Sequence, residues 1–204
     1  MSFRIIFGLS VALALAPVVQ AQDTGISFNL FSYEGAYINK IFRFDADYTA
    51  KYDIPIEVPF ALEIPVRNDI ELIADGRPDG GIVKFTFATK DPEGRKFVEN
   101  FHVVNATFPI PEGSTDPMPI RLRTAAKALA QSAFPVAVKG FTDAKVISSR
   151  EISVNNMRAA EVLGTYTDPT NGPMVLQMVA IPHPDRDESY FVLHNISRTL
   201  VPMD

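Results

Sequence analysis

The chain contains no cysteine and no tryptophan, and only three histidines. Without cysteine there is no disulfide framework, no thiol nucleophile, no iron–sulfur site and no cysteine-liganded zinc. A cysteine-free chain also suits an oxidising compartment, where a stray thiol is a liability. Excess charge is scarce as well. Nineteen basic residues against 24 acidic ones leave a net charge of −5, and the basic residues are scattered along the chain. This balance offers no electrostatic footprint for nucleic acid and no general attraction to anionic lipid. The familiar catalytic strings are missing too: there is no GxSxG elbow, HExxH pair, phosphate-binding loop, GxGxxG turn or EF-hand loop,. No cofactor and no metal are therefore expected.

What is present is a globular composition, with 47% hydrophobic and 21% charged residues in a length suited to one domain,. Sixteen prolines outnumber eleven glycines, which favours short elements with firm ends,. Residues 1–21 are expected to be a secretory signal peptide. Arg4 supplies the positive start, Ile5–Ala16 the apolar core, Pro17 the break, and Val19 and Ala21 the small residues before cleavage at Gln22,. No later apolar stretch is long enough to cross a bilayer, so no transmembrane anchor is expected after cleavage. The expected locale is secreted or periplasmic, and residues 22–204 are expected to form a single domain.

The strongest local pattern is the stretch from Val154 to Pro182. Two extended runs, Arg158–Tyr166 and Met174–Ile181, flank the turn sequence Thr167–Pro173,. In the first run Ala160, Val162, Gly164 and Tyr166 share one face, and Met157, Ala159 and Leu163 the other, interrupted by Glu161. In the second run Met174, Leu176, Met178 and Ala180 oppose Val175, Val179 and Ile181, interrupted by Gln177. Two apolar faces predict a hairpin covered on both sides. One cover is expected from a helix over Ile120–Phe134, whose Leu122, Ala126, Leu129 and Ala133 form a stripe; Thr115 or Asp116 would cap it and Pro135 would end it. The other cover is expected from the aromatic segment of residues 26–48.

Further strands are predicted at 41–44, 68–74, 82–88, 97–108, 146–152 and 189–197, with 82–108 folding as a hairpin around Asp91-Pro92-Glu93-Gly94,. In IPIEVPFALEIPV (54–66), Pro55, Pro59 and Pro65 argue for an edge or crossing strand. The fold class expected is α+β, a mainly antiparallel β-sheet with at least one packed helix, the alternative being an all-β sandwich.

Candidate functional residues are few. His183, Asp185 and Asp187, next to Glu188, form the densest group of possible ligands or acid–base side chains, yet the loop suits a solvated connection as well. His194 lies in a strand, where a satisfied structural histidine is the ordinary role. Asp45 and Asp47 have the spacing of an acid–base pair and nothing more. Tyr33 and Tyr37 belong to the aromatic segment and could line a ligand groove or serve as core.

The order helix (120–134), then strands at 146–152, 158–166, 174–181 and 189–197, with Ala159-Ala160-Glu161-Val162 running to Tyr166, resembles the C-terminal part of PsbP-like exported α/β sandwich domains over about residues 118–198. The chain departs from them in having no tryptophan and no closing helix. The resemblance implies an antiparallel sheet with helix cover and a non-catalytic helper role, and no functional residue carries over. The function expected is an exported, non-enzymatic binding or assembly-helper protein for an unknown protein partner or a small apolar or amphipathic ligand. A hydrolase or other enzyme using His and carboxylates, and a lipid- or envelope-associated structural protein, are the alternatives.

Overall fold

The computed structural model describes residues 40–53, 58–64, 70–76, 81–90, 94–154 and 156–201. The signal segment, Tyr33 and Tyr37 lie outside the described residues. Nine strands form two sheets among those residues. The small one pairs β1 (Lys40–Phe44) with β2 (Phe60–Ile64). The large one has seven strands in the order β3-β4-β5-β9-β8-β7-β6, every pairing antiparallel. Its members are β3 (Ile70–Gly76), β4 (Val83–Thr89), β5 (Phe97–Thr107), β6 (Thr142–Val154), β7 (Met157–Asp168), β8 (Gly172–Ile181) and β9 (Glu188–Ser197). The fold is α+β with a packed helix, as the alternation of the sequence predicts. Within 54–66 the described strand is Phe60–Ile64, and it pairs with β1 outside the main sheet,.

The meander β6–β9 follows from its turn chemistry. Between β7 and β8 the Asp168 carboxylate accepts from the backbone N–H groups of Thr170 (2.7 Å) and Asn171 (2.8 Å), and Gly172 takes the left-handed conformation with φ 77°,. The long return from β5 to β6 carries the helix, and β9 then closes against β5 over nine register pairs.

The helix departs from the sequence expectation at both ends. It begins at Met118 as α2 (Met118–Ala128) with Pro117 in the capping position and no side-chain cap, so neither Thr115 nor Asp116 serves. Proline at the start needs no donor there, which makes the cap dispensable. Pro135 does not end it either. The backbone widens into a π turn at Leu129–Ala133 and continues as α3 (Phe134–Ala137). In the π turn the Phe134 N–H reaches the Leu129 carbonyl five residues back,. The extra residue brings Phe134 beneath Leu129, so the buried stripe is Leu122, Ala125, Leu129 and Phe134 instead of an α-periodic one.

Both faces of the β7–β8 hairpin are covered. On one, the helix packs Leu122, Ala125, Leu129 and Phe134 on Ala160, Val162, Met174, Leu176 and Met178. On the other, Phe44 and Ile64 of the small sheet join Phe85, Phe101, Leu163, Val175 and Ile196. Phe42, Tyr48, Phe60 and Tyr190 pack edge-to-face or tilted around this second cluster, with ring centroids 4.8 to 6.3 Å apart,. Between β1 and β2 a helix not foreseen from sequence, α1 (Ala46–Tyr52), is capped by Asp45, whose carboxylate accepts from the Tyr48 N–H at 3.2 Å,. Asp47 sits in its first turn, so this Asp pair serves the helix start.

Candidate functional site

Three polar constellations stand out, each built by strand order. The first is the His183–Glu188 loop. Arg121, in the first turns of α2 and 1% exposed, fans its guanidinium across three carbonyls. Nε donates to Phe108 at 2.8 Å, Nη2 to Arg186 at 2.6 Å, and Nη1 to His183. Burial pushes the Arg121 guanidinium below its ordinary value, and the charge of Asp187 works against that,. Asp187 accepts from the Phe108 N–H (2.9 Å) through its carbonyl and from the Ile110 N–H (2.8 Å) through its carboxylate. His183 Nδ1 accepts from the Asp185 N–H at 3.1 Å, closing a tight turn. The loop's polar atoms thus fasten it to the helix and to the end of β5, and Asp185 stays exposed. Among the described residues, no three His, Asp or Glu side chains converge where they could hold a cation.

The second constellation crosses the sheet on the face away from the helix. His194, on β9 and 1% exposed, lies between Glu99 of β5 (Nε2 to Oε2, 2.7 Å) and Gln177 of β8 (Nδ1 to Oε1, 3.2 Å). Gln177 donates to Glu161 of β7 at 2.7 Å, and Arg150 of β6 donates to the other Glu161 oxygen at 2.5 Å. The line runs without a break through β5, β9, β8, β7 and β6. Only Arg150 reaches the surface. Sequence reading singled out His194 but not its partners. The signal for them was present: Glu161 and Gln177 are the polar interruptions of two otherwise apolar strand faces.

The third is an open groove of about 440 Å³ where β7 turns into β8, lined by Asp143, Lys145, Thr165, Tyr166, Thr167, Pro173, Met174 and Arg198. Register places Lys145 opposite Thr165, and Thr167 opposite Pro173. Among the described residues neither the Lys145 nor the Arg198 side chain has a hydrogen bond or ion pair. Asp143, in the left-handed region at φ 54°, accepts from the hydroxyls of Thr142 (3.2 Å) and Thr167 (3.1 Å). β6 forms the edge of the sheet here. Its register shifts near Thr142–Lys145 and Val146–Ser148 break the regular ladder that would otherwise invite another strand,.

Tyr166 anchors the wall of the groove. Its ring stacks on Phe141 at 4.7 Å, and its hydroxyl donates to Asn195 at 2.9 Å, which in turn donates to Asn100 at 2.9 Å. Burial first, then the negative charge of Asp168, push the phenol up to about 12. Because the folded value lies above the ordinary value of about 10, the contribution is complete below pH 10 and is lost as the pH rises through 12. Stability of the native chain relative to Tyr166→Phe is therefore expected to fall between about pH 10 and 12, and ultraviolet titration should show one tyrosine ionising last. A full complement of phenolates by about pH 11 with the fold intact would contradict this assignment.

No protein-family model matches the chain, and no curated protein matches it. Among solved structures it is similar to that of cyanobacterial PsbP from Synechocystis sp. PCC 6803, at 14% identity over 83% of this chain and 88% of that one, with a TM-score of 0.42. It is also similar to PA94, a protein of unknown function from Pseudomonas aeruginosa, at 11% identity over 80% of this chain and 86% of that one, with a TM-score of 0.31. The PsbP-like order read over residues 118–198 thus reappears as a weak likeness of fold, at a level that carries no functional argument. Among the described residues no helix is long and apolar enough to cross a membrane.

Proposed function

We propose that this chain is an exported, non-enzymatic binding or assembly-helper protein, and that it meets a small amphipathic ligand with an anionic head at the groove beside Tyr166. Export is read from residues 1–21. The observation that carries the ligand class is the pair of cations, Lys145 and Arg198, that line one depression without a partner among the described residues, in a chain of net negative charge. Cations beside the exposed Pro173, with no partner among the described residues, suit a ligand that is charged at one end and apolar at the other,. His183 and Asp187 spend polar atoms on holding their loop, and His194 is enclosed, so these residues support the scaffold.

Calorimetric titration of the chain from Gln22 with a medium-chain fatty acid and with the alcohol of the same length tests the reading. The acid is expected to bind and the alcohol to bind more weakly. Lys145→Ala and Arg198→Ala should each weaken the acid by about tenfold, the equivalent of one charge-assisted hydrogen bond. Equal affinity for acid and alcohol, or unchanged binding by the double variant, would rule the groove out as an anion site.

A further inference from the structure

The line from Arg150 to Glu99 has a proton count that its hydrogen bonds determine. Both Glu161 oxygens receive donors, one from Arg150 and one from the Gln177 amide. That orientation of Gln177 turns its oxygen toward His194 Nδ1, so Nδ1 must carry a hydrogen,. The lone pair that remains on a neutral imidazole would then face Glu99 Oε2 at 2.7 Å, acceptor against acceptor. We infer that a proton bridges Glu99 and His194, so that the folded array holds one proton more than a neutral histidine and two carboxylates would carry.

Charge supports the same count. With the proton, the Glu99–His194 pair is neutral overall and Arg150 balances Glu161. Without it, one uncompensated negative charge would lie among Glu99, Glu161, Gln177 and His194, each 2% exposed or less,. Glu99 Oε1 has no hydrogen-bond partner among the described residues, and Glu99 Oε2 meets His194. Phe101 meets the imidazole ring at 5.9 Å and brings no charge. The hydrogen bonds described for this line join Glu99 from β5, Glu161 from β7 and Arg150 from β6.

Turning the Gln177 amide over does not change the total. Its N–H would then serve His194 Nδ1, the imidazole would donate from Nε2 to Glu99, and Glu161 would need the proton to meet the Gln177 oxygen. The proton would have moved from one end of the line to the other. In that arrangement the Arg150 guanidinium would face a neutral acid and lose its charge-assisted hydrogen bond,. The proton position is therefore tied to the one member of the line that reaches the surface on the edge strand, and the line acts as a proton-bridged clasp across β5, β9, β8, β7 and β6.

Nitrogen-15 NMR of the histidine rings in the chain from Gln22, near neutral pH, tests this, with His194 assigned by its disappearance in His194→Gln. The expected result is a protonated Nδ1 together with a far-downfield, slowly exchanging proton correlated with the His194 ring. Glu99→Gln supplies an N–H in place of the bridging proton. It should fold with its melting temperature little changed, keep the protonated Nδ1, and lose the downfield signal. A bare Nδ1 in the native chain, or a Glu99→Gln variant that fails to fold, overturns the inference.

Discussion

Arg121→Met is expected to lower the free energy of unfolding by about 3 kcal/mol, from three carbonyls losing a charged donor,. Urea denaturation followed by circular dichroism measures it. The guanidinium is 1% exposed and serves the carbonyls of Phe108, His183 and Arg186. Methionine matches much of the volume and supplies no donor. The Phe108 carbonyl left buried without a partner costs about 1 to 3 kcal/mol, and the part-buried carbonyls of His183 and Arg186 add smaller costs,. Arg121→Lys separates charge from geometry. An ammonium keeps the charge but cannot present three N–H groups in one plane to carbonyls on two segments, so it should recover only a small part of the loss. A loss below about 1 kcal/mol for Arg121→Met would show that water replaces the guanidinium, and that the loop is not held from the helix.

The second large effect is expected at Gly164, on the helix-facing side of β7. A Cβ built there lies 2.2 and 2.5 Å from carbons of the Phe134 ring and 2.8 Å from the carbonyl oxygen of Lys145. The ring can turn only within the space between helix and sheet, and the carbonyl belongs to the neighbouring strand. Gly164→Ala should therefore cost about 1 to 3 kcal/mol, the usual range for overpacking a core, and Gly164→Val more. Because the main obstacle is a side chain, Phe134→Leu should tolerate the alanine better than the native chain does. A double-mutant cycle between the two positions is expected to show coupling of about 1 kcal/mol or more. Additive effects would place the strain in the backbone of β6 instead of at the helix contact.

These two positions mark the limit of what the sequence makes legible. Alternation and turn chemistry were enough to identify the β4–β5 and β7–β8 hairpins, because period two and Asp-Pro turns closed by glycine act over a few residues. Two-faced burial of β7 and β8 could be read from their apolar runs, and so could the helix as one cover. The helix ends were less legible. Pro135 normally stops a helix, and only the packing of Phe134 into the space above Gly164 makes a π turn worth its poorer geometry,. Asp45 looked like half of an acid–base pair because α1 is too short to show its period. In the structure it is a helix cap.

The candidate sites separate in the same way. His194 was conspicuous by type, and Glu161 and Gln177 by their place in apolar strands, but their partnership required knowing that β9 lies between β5 and β8. Glu99 is 95 residues from His194 in the chain. The groove was invisible beforehand, since Lys145 and Arg198 belong to different strand ends and neither is unusual alone. The sequence by itself determined the type of most strands and of the long helix, the turns and the two buried faces, because those depend on side-chain period and on the φ preferences of proline and glycine. Tertiary structure alone decided which polar side chains meet, because buried donors and acceptors must find partners across strands whose order no local pattern encodes.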